Sequence, residues 1–134
     1  HAYYAYPGAT ADDELVFLGR MPDGSVPPSV TIESEIPVMS GGRKQRQETF
    51  PLELSIWVGR GGSDLSNARR AEAAAFDLLA IVDGLLADNI TLGLSGSAWA
   101  TLTAVEVVGG GPFIVENGWA SLLLVTLEVT ARLN

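Results

Sequence analysis

The sequence predicts an α+β domain: a mostly antiparallel sheet of about five to six strands with one long helix packed on it. Three observations carry this. Residues 48–58 alternate cleanly between apolar and polar side chains, the period of a strand with one buried face. Residues 64–87 then change to helical spacing without an intervening loop of any length. Residues 98–108 and 114–133 return to alternation, so strands lie on both sides of a single helix.

Each element has its own signal. Residues 1–6, HAYYAY, alternate loosely and stop at the turn dipeptide Pro7-Gly8. The chain opens directly in this strand-like run and without Met, so upstream residues are expected, a helix among them. Asp12, Asp13 and Glu14 make an acidic loop before a short apolar strand at 15–18. A loop with Pro22, Pro27 and Pro28 separates this from 30–38, where Val30, Ile32, Ile36 and Val38 share a face opposite Thr31, Glu33 and Glu35.

The loop Met39–Gln47 then carries Arg43, Lys44 and Arg46, three of the eight cations in the chain. In the strand that follows, Phe50, Leu52, Leu54, Ile56 and Val58 point one way, and Thr49, Glu53, Ser55 and Trp57 the other. Pro51 removes one backbone donor and predicts an edge position or a bulge. The two strands are expected to form a hairpin with the basic loop at its tip.

The helix is placed from about Asp64 to Ala87, a rod of roughly 36 Å. Ala68, Ala71, Ala75, Leu78, Leu79, Val82, Leu85 and Leu86 fall on one face. Ser63 or Asp64 caps its start and Asn89 ends it. The small residues of its first half predict a close approach to the sheet. In the last strand Trp119, Leu123, Val125, Leu127, Val129 and Leu133 share a face against Thr126, Glu128, Thr130 and Arg132. Such a strand is far longer than the usual five or six residues or so, and is expected to bend or to run past its own sheet toward a neighbour.

The whole chain of 134 residues reads as one domain, 1–134. At that size folding buries roughly 68% of the unfolded surface, enough to need no covalent staple. There is no cysteine, which excludes disulfides and Cys-ligated metals. The formal net charge is −8 and the pI about 4.4. Sequence-independent binding of nucleic acid depends on Lys and Arg, so 8 basic against 16 acidic residues argue against tight binding of free DNA or RNA. No apolar run approaches the roughly 20 residues of a membrane helix.

Candidate chemistry is sparse. Gly59-Arg60-Gly61-Gly62-Ser63-Asp64 lies between a strand and a helix, where a dinucleotide fingerprint would lie. Its sixth position is a carboxylate, which would occupy the helix N-terminus meant for a pyrophosphate. No Gly-Lys-Ser/Thr occurs, so no P-loop is present. The segment reads as a turn and a helix cap. Glu33 and Glu35 stand roughly 6–7 Å apart on one strand face, a spacing that could suit two catalytic carboxylates but on an exposed strand is ordinary solvation. The Asp12–Glu14 cluster lacks the spaced pattern of a calcium loop.

His1 is the only histidine, so Ser-His-Asp, Cys-His and zinc sites are unavailable. No catalytic, cofactor or metal residue is assigned, and the chain is expected not to be an enzyme. The surface candidates are Arg43, Lys44, Gln45 and Arg46, a basic arm in an acidic protein, and Trp57, either an interface anchor or a cover over the sheet.

The order of these segments resembles a family. A strand RQETFPLELSIWV, a Gly-rich turn, the helix NARRAEAAAFDLLAIVD, a loop with LGL, two strands and a C-terminal LEVTARL are similar to the tail terminator (tail completion) proteins of long-tailed phages, especially those infecting actinobacteria. The similarity covers residues 48–133 and, more loosely, the chain from Tyr3. It implies a structural virion protein: a subunit of a homohexameric ring, without catalytic residues or cofactors. That ring caps the tail tube and joins it to the head–tail connector protein during viral assembly in the host cytoplasm. Genomic DNA would pass through the lumen without specific binding, and no membrane is involved. The family also implies an N-terminal helix before the first strand, which this sequence does not contain. The residues themselves leave open another head–tail connector or tail tube component, or a small-ligand binding module.

Overall fold

The computed structural model describes residues 1–3, 13–19, 33–35, 46–91, 93 and 98–133. The turn at Pro7-Gly8, Asp12, the proline loop at 22–28 and Arg43, Lys44 and Gln45 of the basic loop lie outside the described residues. The fold is α+β. Its strands are β1 (Ala2–Tyr3), β2 (Glu14–Leu18), β3 (Glu33–Glu35), β4 (Arg46–Gly61), β5 (Ala98–Val107), β6 (Phe113–Val115) and β7 (Gly118–Leu133). The single helix α1 spans Leu65–Asp88.

Five strands cross the sheet in the order β1-β2-β4-β7-β5, with β3 added beside β4 and β6 beside β7. All pairings are antiparallel except β1 with β2. The frame is the pair β4–β7, in register from Arg46↔Leu133 to Gly61↔Gly118. Each is 16 residues long, so the pair spans about 50 Å. Because β4 and β5 are both antiparallel to β7, they run parallel to each other. The helix that joins them crosses one face of the sheet.

That face holds the core. Ile56 and Val58 of β4 and Leu123, Val125 and Leu127 of β7 are buried against Ala71 and Ala75 of the helix. Ala68, Ala71 and Ala75 are the buried helix residues, and their short side chains let the backbone lie close to the strands. Beyond them Leu78, Leu79, Val82 and Leu86 are only partly buried. Leu85, expected on the same face, is 64% exposed. It stands about 80° around the axis from Ala75 at 100° per residue, outside the stripe the sheet can cover.

The opposite face is not simply solvated. Leu15 and Phe17 of β2, Ser55 of β4 and Ala120 of β7 are buried there. The Ser55 hydroxyl donates to the Gly19 carbonyl at 2.7 Å, which satisfies it where β2 ends.

The expected hairpin of 30–38 with 48–58 is present where it is described: Glu33, Ser34 and Glu35 pair with Thr49, Glu48 and Gln47. Pro51 lies in a strand with neighbours on both sides, but at a gap. On that edge β3 reaches only Thr49 and β2 begins at Leu54, so Pro51 meets no ladder partner there and costs no hydrogen bond on that side.

One expected element is wrong in form. Residues 114–133 do not make one strand. The chain turns at Glu116–Asn117, and β6 folds back on β7 through Phe113↔Ala120, Ile114↔Trp119 and Val115↔Gly118. The physical reason is Gly118: a side chain there would collide with the Arg60 carbonyl across the ladder, so this position belongs to the tight end of a hairpin.

Candidate functional site

The strand–turn–helix junction is fixed by its own polar groups. Gly62 has φ +99°, a left-handed conformation that glycine adopts without strain, and it turns the chain from β4 into the helix. Its N–H donates to the Asn117 carbonyl at 2.9 Å. Asp64 is the N-cap: its carboxylate accepts from the Ser66 N–H at 2.8 Å. The backbone and hydroxyl donors of Ser66 hold the Asp64 carboxyl below the ordinary Asp range. The groups that would receive a phosphate at this terminus are therefore already occupied by a carboxylate.

Arg60, the exchangeable position of the Gly-rich run, has a structural role. Its guanidinium pairs with the Glu14 carboxylate and donates to the Gly59 carbonyl at 2.8 Å. This ties the start of β2 to the end of β4. Asp13 is exposed, and no group of His, Asp or Glu side chains placed to hold a metal occurs among the described residues. Glu33 and Glu35 lie two residues apart on β3, opposite Thr49 and Gln47.

Trp57 is half-buried on the face away from the helix, opposite Leu15. Its ring lies over Gly59, where a Cβ would meet the ring edge at 2.5 Å. Trp57 thus covers bare strand backbone two residues further on. Of the basic residues, Arg46 opens β4 opposite Leu133, and Gln47 beside it is opposite Arg132. Arg132 is exposed, its guanidinium 5.3 Å from the centre of the Trp99 ring.

The sequence reading missed a hollow of about 310 Å³ beside the junction, lined by Ser63, Ile114, Glu116 and Trp119 together with backbone of the β6–β7 turn. The Trp119 indole N–H donates to the Ser63 carbonyl at 3.4 Å and closes one wall. Ile114 is 76% exposed at the rim, and Leu65 in the first turn of the helix is 61% exposed. The available signal was Asn117-Gly118 inside an apolar run, a hairpin dipeptide.

Two further surfaces stand open. Strand β5 has a ladder partner only in β7 among the described residues, and Thr101, Thr103, Ala104, Val105 and Glu106 are exposed. The helix shows Phe76, Ile81 and Leu85. No described helix is long and apolar enough to cross a membrane. No protein-family model matches the chain, and no curated protein matches it.

Proposed function

We propose that this chain is a non-enzymatic structural subunit of a phage tail terminator ring, capping the tail tube and joining it to the head–tail connector. The reading rests on the resemblance of residues 48–133. The observation that carries it further is the open strand β5, whose outward edge and exposed residues from Thr101 to Glu106 leave the sheet able to accept a neighbour. Exposed Leu65, Phe76, Ile81 and Leu85 add apolar contact surface of the kind subunit interfaces bury. The net charge of −8 suits a ring around DNA, since an acidic lumen repels phosphates and lets the genome slide.

Two measurements together test the reading. The assembled protein should have a mass of about six times the 14.1 kDa subunit, as closed cyclic symmetry of that order requires. Immunogold labelling of virions carrying the protein should mark a single position where tail meets head. Label distributed along the tail would make it a tube component instead. A chain that stays monomeric and never joins a tail would refute the ring.

A further inference from the structure

The hollow beside the strand–turn–helix junction combines three features that no other described surface brings together. It has an aromatic wall in Trp119, an exposed apolar rim in Ile114, and one carboxylate, Glu116, on the turn above it. An aromatic ring beside a carboxylate suits the end of a long cationic side chain: the stem covers apolar surface and the charged head meets the acid. The protein already makes one such contact internally, where Arg132 lies over Trp99.

The cations that could fill the hollow are at the far end of the same two strands. The β4–β7 ladder ends at Gly61↔Gly118, next to Glu116, and begins at Arg46↔Leu133, with Arg132 on the adjacent rung. Sixteen rungs separate these ends, about 50 Å, so one molecule cannot bring them together. Arg60, near the hollow, is held by Glu14 and is not free to enter it.

We infer that the Glu116–Trp119 hollow is a socket for the basic end of a second copy of this chain, the end that carries Arg46 and Arg132. The contact is head-to-tail, between unlike patches of identical subunits, which is the kind that closes into a ring. It rests on the ring reading above and assigns that ring a specific joint.

The test is charge reversal with rescue, read by sedimentation velocity of the full-length chain across a concentration series, and by addition to tails that lack their terminator. Glu116→Arg and the double variant Arg46→Glu/Arg132→Glu should each weaken self-association by about tenfold or more. Combining all three substitutions should restore it to within about threefold of the parent. Glu116→Gln, the milder change, should fall between the parent and Glu116→Arg. Circular dichroism melts report folding for each variant separately. Folded Glu116→Arg or Glu116→Gln protein that assembles like the parent overturns the socket and leaves the ring reading standing. A triple variant no better than its parts also overturns the socket. A parent chain that remains at 14.1 kDa, alone and with tails, refutes both.

Discussion

Replacing Gly118 with Ala is expected to cost far more than the same change at Gly61, although the two glycines face each other across one rung of the sheet. A Cβ on Gly118 would fall on the Arg60 carbonyl oxygen and stand 2.9 Å from the Gly61 Cα. Carbon atoms pack at about 3.5–4.0 Å, so the strands would have to part by roughly half to one ångström at this rung. Every atom in the way is main chain, and no rotamer change relieves the clash. Parting the strands also pulls Asn117 from the Gly62 N–H, which it now accepts at 2.9 Å. Overpacking of this kind costs about 1–3 kcal/mol and the hydrogen bond about 1 kcal/mol more, for a total of about 2–4 kcal/mol.

A Cβ on Gly61, by contrast, would meet only the Asn117 carbonyl oxygen at 3.9 Å, an ordinary contact. Gly61→Ala should therefore stay within about 1 kcal/mol of the parent. For a chain of this size the Gly118→Ala loss corresponds to a drop on the order of 10 °C in Tm. Thermal melts followed by circular dichroism decide it. A Gly118→Ala protein melting within about 2 °C of the parent, or a Gly61→Ala protein that loses as much, would refute the steric argument.

Two more predictions concern the core and the helix cap. Ser121 is fully buried on the helix side of β7, opposite Val58, and its hydroxyl has no hydrogen-bond partner. Ser121→Ala removes an unsatisfied polar group without removing a contact, and should raise stability by about 1 kcal/mol in urea unfolding; a loss would mean that the hydroxyl is bonded. The Asp64 carboxyl titrates below its ordinary value because Ser66 donates to it. A depressed acid stabilises the fold above the unfolded pKa of about 3.9, and that contribution disappears as pH falls through the lower folded value. Asp64→Ala should thus melt below the parent at pH 7 and converge with it in strong acid. A gap in Tm that does not change with pH would refute the capping charge.

How much could be read from the sequence depended on whether the cause was local. Asp64, the Ala68–Ala71–Ala75 spacing and Asn89 place the helix to within a residue, because capping and periodicity act over one or two turns. The alternation of Phe50 to Val58 likewise settles which side of β4 meets the helix. What failed depends on distant partners. The turn at Glu116–Asn117 is enforced by Arg60, some 56 residues earlier in the chain and across the ladder from Trp119. Burial of Leu15 and Phe17 on the second face, and the ion pair of Glu14 with Arg60, have no periodic trace. The hollow was invisible for the same reason: Ser63 comes from the turn before the helix, whereas Ile114, Glu116 and Trp119 come from the hairpin after β5.

The Gly-rich turn contributes to function through its rigidity. Its glycines suggest a flexible loop, yet the Gly62 N–H is held by Asn117, the Ser63 carbonyl accepts from Trp119, and Asp64 is engaged by Ser66. These bonds lock the turn simultaneously to the β6–β7 hairpin and to the helix. One wall of the hollow is therefore ordered before any partner arrives. Docking a side chain into an ordered wall avoids the entropy loss of about 0.5–1.5 kcal/mol for each side chain that would otherwise be fixed on binding. That gain matters most for a contact made once per subunit, where a small difference is repeated at every joint of a closed ring. The positive φ at Gly62 and the bare strand at Gly118 are thus the backbone conditions for a preformed socket, and neither position tolerates a side chain.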